Sequence, residues 1–309
     1  EVSYVEGCFT AGTSIVTSDG LKSIEEVKVG DEVLTHNSRF KKVYNTQIRN
    51  YSGKLFKIRY YGDTTQAIEA TEEHPFVAVK RQKLEYKNTD WKTEWIPACN
   101  LKKSDYLAIP IDDVVESEEF RSFNVRFGKA ANFVELKVKT DPDFFRLMGY
   151  YLAEGSTGGE HYVTFTFNKQ ERSYIDDVKF LIEKYFGKVP IENKEYKNGI
   201  GIVLCSSVAA RFFNNQFGHY AKTKSLPKWV LRESVQKQAE LVSGFWRGDG
   251  SFMCKHYHWG VKRMFRMNTI SPVLARQFRD IMLRLRIFAS SNIAKRSGKR
   301  QHMYTLYVG

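Results

Sequence analysis

The chain has 309 residues, 42% hydrophobic and 27% charged, which is long enough for two cores and typical of globular proteins. No apolar run approaches the ~20 residues that a bilayer-spanning helix needs, and the short acidic start EVSYVEG is not a signal peptide. The four cysteines have no paired spacing, which argues against a disulfide scaffold or a zinc ribbon and indicates a reducing, cytoplasmic location.

The net charge of +13 is concentrated in one part of the chain. Residues 1–112 hold 16 basic and 16 acidic residues, whereas residues 113–309 hold 32 and 19. Such an excess indicates either a polyanionic partner for that part alone or a surplus of solvated charge. The change in charge places a domain boundary near residue 112.

Residues 8–112 are predicted to be all-β. Short apolar alternations over 13–16, 32–35, 55–60 and 76–79 are separated by turn signals such as Asp19-Gly20 and Gly30-Asp31. The acidic run DDVVESEE follows, and we expect a linker over residues 113–140.

From residue 141 the pattern is α+β. Asp141 and Pro142 predict the start of an apolar helix that ends at Glu154-Gly155. A strand, an amphipathic helix, two strands and a further helix follow. The order then recurs from a second helix that ends at Asp249-Gly250. Superposing Glu154 on Asp249 predicts two αββαββ repeats, 141–234 and 235–309, in a pseudo-two-fold domain.

A cysteine and a distant histidine stand out in the first part. Cys8 lies in GCFTAGTSI, and Thr71 and His74 lie in EATEEHPFVAV. The residues alone fit either a nucleophile with a proton donor, or a buried cysteine and a turn histidine.

These stretches resemble the N-terminal splicing blocks of inteins and of Hedgehog-type autoprocessing domains. Cys8, Gly12 and Thr13 match the first block, and Thr71 and His74 match the second. The resemblance covers about residues 8–111 and implies the horseshoe-like, all-β Hint fold, with catalytic Cys8, Thr71 and His74 and no cofactor for splicing. It also implies that residues 1–7 belong to a host protein and that the Cys8 sulfur attacks the Gly7 carbonyl. The tripeptide HNS at 36–38 has the wording of the family's other junction, but its place before Thr71 predicts a hairpin turn.

The second part resembles two-repeat LAGLIDADG homing endonucleases. Its motifs are LMGYYLAEG at 147–155 and VSGFWRGDG at 242–250. Gly149 and Gly244 would let two helices cross closely, which brings Glu154 and Asp249 together as ligands of Mg²⁺. The alternative is two solvated carboxylates at helix ends. The second motif departs from the family wording at Trp246 and Arg247.

Basic side chains complete the predicted endonuclease. Lys224 in KSLP matches the family's lysine block and is a candidate to polarise water or steady a phosphate, although Lys222 competes and a solvated lysine is the alternative. The strands would form a saddle over DNA. Its candidate contacts, which either read bases or neutralise phosphates, are Lys255, His256, His258, Lys262, Arg263 and Arg266. The two histidines lack a third ligand, so we do not predict a metal there.

The resemblances together predict an intein with an embedded Mg²⁺-dependent homing endonuclease. Its partners would be double-stranded DNA, the host protein and a C-terminal intein fragment, without a membrane. The alternatives are a DNA-binding regulator without cleavage and a Hedgehog-type autoprocessing domain. No Asn follows Asn292, and the counterpart of Lys224 falls beyond Gly309. We therefore expect a chain incomplete for both activities, either truncated or the N-terminal piece of a split intein.

Overall fold

The computed structural model describes residues 7–81, 91–127, 133–193, 198–294 and 302–309. The chain divides into two compact units, Glu1–Asp113 and Val114–Gly309. The change in charge near residue 112 therefore lies at the observed division. The proposed host segment 1–7 lies outside the described residues except for Gly7.

Strands build the first unit. They are β1 Ser14–Thr17, β2 Gly20–Ser23, β3 Glu32–Leu34, β4 Phe40–Lys42, β5 Leu55–Tyr60, β6 Asp63–Thr71, β7 Pro75–Val79, β8 Glu94–Pro97 and β9 Tyr106–Leu107. Two small sheets have the orders β2-β1-β3-β4 and β8-β7-β9, and β5 pairs with β6 as a hairpin. Two short 3-10 turns, Ile24–Glu26 and Ala98–Asn100, accompany these strands. The all-β prediction agrees with this composition.

The HNS tripeptide connects β3 to β4. The Thr35 amide donates to the Arg39 carbonyl at 3.0 Å, which closes the turn. Ser38 has a φ of 56° and accepts a hydrogen bond from the Ile111 amide at 3.2 Å. The sequence prediction of a hairpin turn at this tripeptide is confirmed.

The second unit mixes helices and strands. Its elements are β10 Phe120–Arg126, β11 Phe133–Lys139, α1 Pro142–Glu154, β12 Gly155–Gly158, β13 Tyr162–Asn168, α2 Arg172–Phe186, β14 Ile191–Asn193, β15 Gly199–Cys205, α3 Ser207–Phe217, α4 Lys228–Leu231, α5 Val235–Asp249, β16 Gly250–Tyr257, β17 Gly260–Thr269, α6 Pro272–Arg284, β18 Ser290–Ala294 and β19 Met303–Val308. None of the helices in the described ranges combines the length with the apolar character that a membrane span requires.

The two sheets of this unit share a strand order. The first has the strand order β12-β13-β15-β14, and the second contains β16-β17-β19-β18. If the four strands of each set are counted along the chain, both orders are first, second, fourth, third. On both sheets one face is buried. Val163 and Phe165 of β13 are fully buried, and Met267 of β17 is 6% exposed. The opposite face carries the alternate residues, because successive side chains in a strand point to opposite faces.

The expected linker at 113–140 is wrong for most of its length. Strands β10 and β11 pair in register from Phe120–Lys139 to Arg126–Phe133. Their alternation of apolar and polar residues buries Val125 and Val138, which pack into the core of the second unit. The acidic run before β10 suggested a linker, but the period-2 pattern after it specifies a hairpin.

Helix α1 begins where the sequence predicts. The Asp141 carboxylate accepts a hydrogen bond from the Phe144 amide at 3.0 Å, and Pro142 occupies the first turn. Proline lacks only an amide hydrogen that would have no partner there. Helix α1 then buries eight residues between Phe144 and Leu152 and ends at Glu154.

Candidate functional site

The residues around Cys8 lie against the end of β6. The Cys8 amide donates to the Thr71 hydroxyl at 3.0 Å, and the Thr71 amide donates to the Cys8 carbonyl at 3.0 Å. The Thr10 amide extends this pairing to the Glu69 carbonyl at 3.1 Å. The nitrogen of the Gly7–Cys8 peptide is therefore held by a side chain that is itself buried, since Thr71 is 2% exposed. In this arrangement the Thr71 oxygen accepts a hydrogen bond and holds the peptide in place.

His74 packs against Gly7, the first residue of the same peptide. A methyl group added at Gly7 would lie 2.4 Å from the His74 Cα and 2.9 Å from its Nδ1, so only glycine fits there. The ring lies 3.9 Å from the ring of Phe9 and 5.2 Å from that of Phe76. The buried Nδ1 makes no hydrogen bond of normal geometry. Burial lowers the pKa of His74, against the opposing effects of the Gly7 backbone and Glu73, so the imidazole is neutral at neutral pH.

Sequence reasoning missed a cation beside the cysteine. Arg49 Nη2 lies 2.6 Å from Glu73 Oε1, and the guanidinium also interacts with the Cys8 side chain. The hydrogen bond to Glu73 raises the pKa of Arg49. Desolvation opposes that rise, and the interaction with Cys8 adds to it. Arg49 lies 41 positions from Cys8 in a segment without regular structure, so no spacing rule identifies it. Only folding brings it to the sulfur.

In the second unit, α1 and α5 cross in backbone contact. A methyl group at Gly149 would lie 2.3 Å from the Leu241 carbonyl oxygen. One at Gly244 would lie 2.2 Å from the Arg146 carbonyl oxygen. Side chains cannot be accommodated at such separations, so the two glycines permit the crossing. The close crossing predicted from the two motifs is present.

The crossing sets two carboxylates near each other at the helix ends. Burial, then repulsion from Asp249, raises the pKa of Glu154 to about 7. Burial also raises the pKa of Asp249 to about 6, against the favourable field of Lys224. By solvent exposure Asp249 is exposed whereas Glu154 is half-buried, so desolvation acts more strongly on Glu154 and its pKa is the more strongly perturbed of the two. The solvated-carboxylate alternative does not describe Glu154.

Lys224 occupies a different place from the one expected of a solvated lysine. It is 4% exposed, and its ammonium donates to the carbonyls of Tyr151, Leu152 and Gly155 at 2.8, 3.0 and 2.7 Å. These bonds use all three ammonium protons and satisfy the last turn of α1. Burial lowers the pKa of Lys224 to about 8, against the effects of Asp249 and Glu154. The competing Lys222 is exposed.

The two carboxylates fit a divalent cation with few protein ligands. Within the described residues no group of three or more histidine, cysteine or acidic side chains could hold a metal. Mg²⁺ needs fewer, because it retains several waters and takes substrate phosphate oxygens. Asp249 raises the electrostatic cost of an ionised Glu154, and the nearby ammonium of Lys224 is committed to backbone carbonyls. An oxygen-binding cation would relieve that cost.

The departure of the second motif at Arg247 is accommodated between helices. Arg247 Nη1 donates to the Tyr150 hydroxyl and to Asp177 Oδ2, each at 3.0 Å. Asp177 in α2 also receives two bonds from Arg146 of α1, at 2.9 and 3.0 Å. Arg247 thus ties α5 to α1 and α2. The indole nitrogen of Trp246 is buried without a hydrogen-bond partner, and nothing in the structure explains it.

The predicted DNA contacts divide between the two faces of the β16–β17 hairpin. Lys255 and Lys262 lie directly opposite each other, and Arg266 lies opposite Ser251. By strand alternation these three share the face turned away from the helices. His256 and Arg263 share the other face with Phe265 and Met267, which face α5. His258 lies in the turn. The six residues therefore do not form a single surface.

The corresponding face of the first sheet is uncharged at its described positions. Tyr162, Thr164, Thr166 and Asn168 of β13 occupy it, and Ser156 pairs beside Thr164. None of these side chains carries a charge. Of these two faces, only that of the second sheet carries basic side chains at its described positions.

Residues 7–60 match the Hint domain family. This match confirms the Hint-type resemblance of the first unit over that range. It contains Cys8 and Arg49 and ends before Thr71 and His74.

Curated relatives match nearly the whole chain. An uncharacterized protein of Methanocaldococcus jannaschii is 31% identical, over 90% of this chain and 37% of its own length. An iron-sulfur cluster assembly SufBD family protein of Mycobacterium bovis is 30% identical, over 96% of this chain and 35% of its own length. The ATP-dependent DNA helicase Hel308 of Thermococcus kodakarensis is 28% identical, over 90% and 27%. The chain spans about a third of the length of the first of these relatives.

Solved structures show weaker likeness. The complex of I-DmoI with DNA and manganese has a TM-score of 0.40 and 10% identity, over 55% of this chain and 91% of that one. Full-length DUF199/WhiA from Thermatoga maritima has a TM-score of 0.36 and 15% identity, over 55% and 51%.

Proposed function

We propose that this chain belongs to an intein that begins splicing at the Gly7–Cys8 peptide and carries a DNA-cleaving homing endonuclease as its second unit. The splicing part of this proposal is supported by two contacts to that peptide: the Cys8 amide donates to the Thr71 hydroxyl, and Gly7 packs against His74. In this proposal the first unit is part of a horseshoe-like Hint domain. The second unit is a pseudo-two-fold pair of αββαββ repeats, 141–234 and 235–309, preceded by the β10–β11 hairpin.

The relatives support an inserted element. A protein named for iron-sulfur cluster assembly matches 96% of this chain, and a protein named as a DNA helicase matches 90%. These matches fill only 35% and 27% of the two relatives. Proteins with such different functions are not expected to share one common segment of this size. A self-removing element inserted into different hosts has that distribution.

The splicing chemistry begins with an acyl shift from nitrogen to sulfur. The Cys8 sulfur attacks the Gly7 carbonyl carbon, a tetrahedral intermediate forms, and the carbon–nitrogen bond breaks. The acyl group then resides on sulfur as a thioester, and the thiol proton balances the new amine of Cys8. Departure of the amine requires a proton at that nitrogen.

Three side chains would assist this step. Thr71 holds the Cys8 amide by its hydroxyl oxygen. Because His74 is neutral at rest, it would take up the Cys8 thiol proton at one ring nitrogen and pass a proton from Nδ1, which lies beside Gly7, to the departing nitrogen. Arg49 would hold the negative charge that develops on the sulfur, because its guanidinium interacts with Cys8 while paired to Glu73.

The endonuclease proposal rests on Glu154 and Asp249. They would hold Mg²⁺, which when bound supplies an activated water and stabilises charge on the cleaved phosphate. Lys224 would fix the end of α1 and lower the cost of the paired carboxylates. Because its ammonium already donates three hydrogen bonds to backbone carbonyls, we assign Lys224 a positioning role rather than direct contact with the reacting water. The basic excess of residues 113–309 would bring double-stranded DNA to the unit.

The decisive experiment for splicing is release of residues 1–7 by dithiothreitol. A thioester at Cys8 is cleaved by excess thiol, so the peptide EVSYVEG should appear by mass spectrometry. Cys8→Ala should abolish release, and His74→Ala should slow it by about 100-fold. Cys99→Ala is the matched control, because Cys99 is also in the first unit and is exposed.

Two outcomes would reject the splicing assignment. One is release of the peptide from Cys8→Ala at the wild-type rate, which would indicate ordinary hydrolysis. The other is loss of release from Cys99→Ala alone, which would move the nucleophile. The endonuclease is tested separately by DNA nicking with Mg²⁺, where Glu154→Gln should bind DNA and leave it intact.

A further inference from the structure

The β16–β17 hairpin ends in two aromatic rings that stack on each other in solvent. Tyr257 is the last residue of β16, and Trp259 lies in the two-residue turn before Gly260. Their ring centroids are 4.8 Å apart and their planes differ by 11°. Trp259 is 65% exposed and Tyr257 42% exposed. The pair presents flat apolar faces to solvent at the end of a two-stranded ribbon.

The same hairpin carries cations without any acid. Residues 250–269 contain Lys255, Lys262, Arg263 and Arg266 and no aspartate or glutamate. Lys255 and Lys262 are paired directly across the two strands, on the same face as Tyr257. Like charges opposite each other destabilise a sheet. The free protein therefore keeps two unfavourable features side by side, repelling cations and exposed rings.

One class of partner relieves both features. A nucleic acid offers phosphates to the lysines and flat bases to the rings, and base–aromatic stacking tolerates any sequence. We propose that Tyr257 and Trp259 form a base-stacking wedge that enters the DNA duplex while Lys255 and Lys262 hold the adjacent phosphates. This proposal rests on the proposed DNA binding of the second unit and adds a contact that opens a base step.

The wedge implies a preference for easily opened steps. Inserting a side chain between base pairs costs a few kcal/mol of stacking. Pyrimidine–purine steps such as TA are the most readily kinked or unstacked. The wedge should therefore act where such a step lies within reach of the hairpin, and sequence preference at that point should follow deformability rather than base-edge contacts.

The test uses the full chain without Mg²⁺ and a 200-bp duplex containing every dinucleotide step. Permanganate reacts with unstacked thymines, so wild-type protein should increase reactivity at some pyrimidine–purine steps. Trp259→Ala should abolish that increase and weaken binding by about tenfold, while Trp259→Phe should retain both. Phe180→Ala is the matched control, because Phe180 is 57% exposed on α2, which is not part of the hairpin.

The slope of log affinity against log salt separates the wedge from phosphate binding. Trp259→Ala should leave that slope unchanged, since it removes no cation. Wild-type affinity and permanganate reactivity in Trp259→Ala would overturn the wedge while leaving DNA binding intact. Failure of the wild-type chain to bind the duplex would overturn both. Unchanged DNA binding with loss of concentration-dependent self-association in Trp259→Ala would assign the rings to a protein interface instead.

Discussion

Gly149 of α1 and Gly244 of α5 face each other where the two helices cross, each against the other's backbone. A methyl group at Gly149 would meet the Leu241 carbonyl oxygen at 2.3 Å. The helix ends can converge on Glu154 and Asp249 only because these positions lack side chains. The carboxylate pair is thus a consequence of helix packing.

The first prediction concerns this crossing. Gly149→Ala should lower the free energy of unfolding by about 2 kcal/mol, because overpacking outweighs alanine's better helix propensity. Ser243→Ala, one position from the crossing glycine, should change it by less than about 0.5 kcal/mol. Urea unfolding followed by far-ultraviolet circular dichroism reports on this unit, to which all described α-helices belong. An unchanged midpoint for Gly149→Ala would show that the helices do not touch there.

The second prediction concerns pH. The pKa of Glu154 is raised to about 7 by burial and Asp249, whereas the unfolded group has its ordinary pKa near 4.5. The folded protein therefore holds a proton that the unfolded chain loses, and this contribution to stability disappears as pH rises from 4.5 through 7. Glu154→Gln should match the wild type at pH 4.5 and be more stable at pH 8. The difference, discounted for partial exposure, should be about 1–2 kcal/mol.

Thermal unfolding at several pH values measures this difference. Mg²⁺ should raise the melting temperature of the wild type at pH 8 and leave that of Glu154→Gln nearly unchanged, because the cation offsets the paired charges. A stability difference that does not vary with pH would contradict a perturbed Glu154.

The element order from residue 141 onward and several sites were predictable from sequence. The helix start at Asp141, the two glycines and the carboxylates at the helix ends follow from local patterns that the fold preserves. The bonding of Lys224 did not follow, because its partners are carbonyls about 70 positions away along the chain. Strands β10 and β11 did not follow either, because the acidic run before them favours a linker and the alternation that forms them begins only after it.

The third prediction tests whether Lys224 stabilises the end of α1 and lowers the pKa of Glu154. Lys224→Met removes three bonds to carbonyls and should lower the free energy of unfolding by about 3 kcal/mol. It also removes a positive charge near Glu154, so the pKa of that carboxyl should rise further. The pH midpoint of the stability curve should move upward accordingly. The exposed Lys222 provides the control, since Lys222→Met should alter neither quantity.

The fourth prediction concerns Thr71. Thr71→Val keeps the shape of the side chain but removes the oxygen that accepts the Cys8 amide proton at 3.0 Å. The peptide is then held less well, and thiol-induced release of residues 1–7 should slow about fivefold, which corresponds to one hydrogen bond of about 1 kcal/mol. Thr71→Ser keeps the oxygen and should release the peptide at nearly the wild-type rate. Equal rates for the two variants would remove Thr71 from the reaction.

The last prediction concerns the two faces of the β16–β17 hairpin. Lys255 and Lys262 share the outward face and oppose each other, whereas Arg263 shares the face of Phe265 and Met267. Neutralising a phosphate contact lowers the salt slope of DNA binding by about 0.9 per cation. Lys255→Gln and Lys262→Gln should each show this loss, and Arg263→Gln should not. Without DNA and at low salt, either lysine variant should also raise the melting temperature, because it removes the repulsion between opposed cations. A melting temperature that falls in both variants, together with an unchanged salt slope, would mean that these lysines stabilise the hairpin rather than hold DNA.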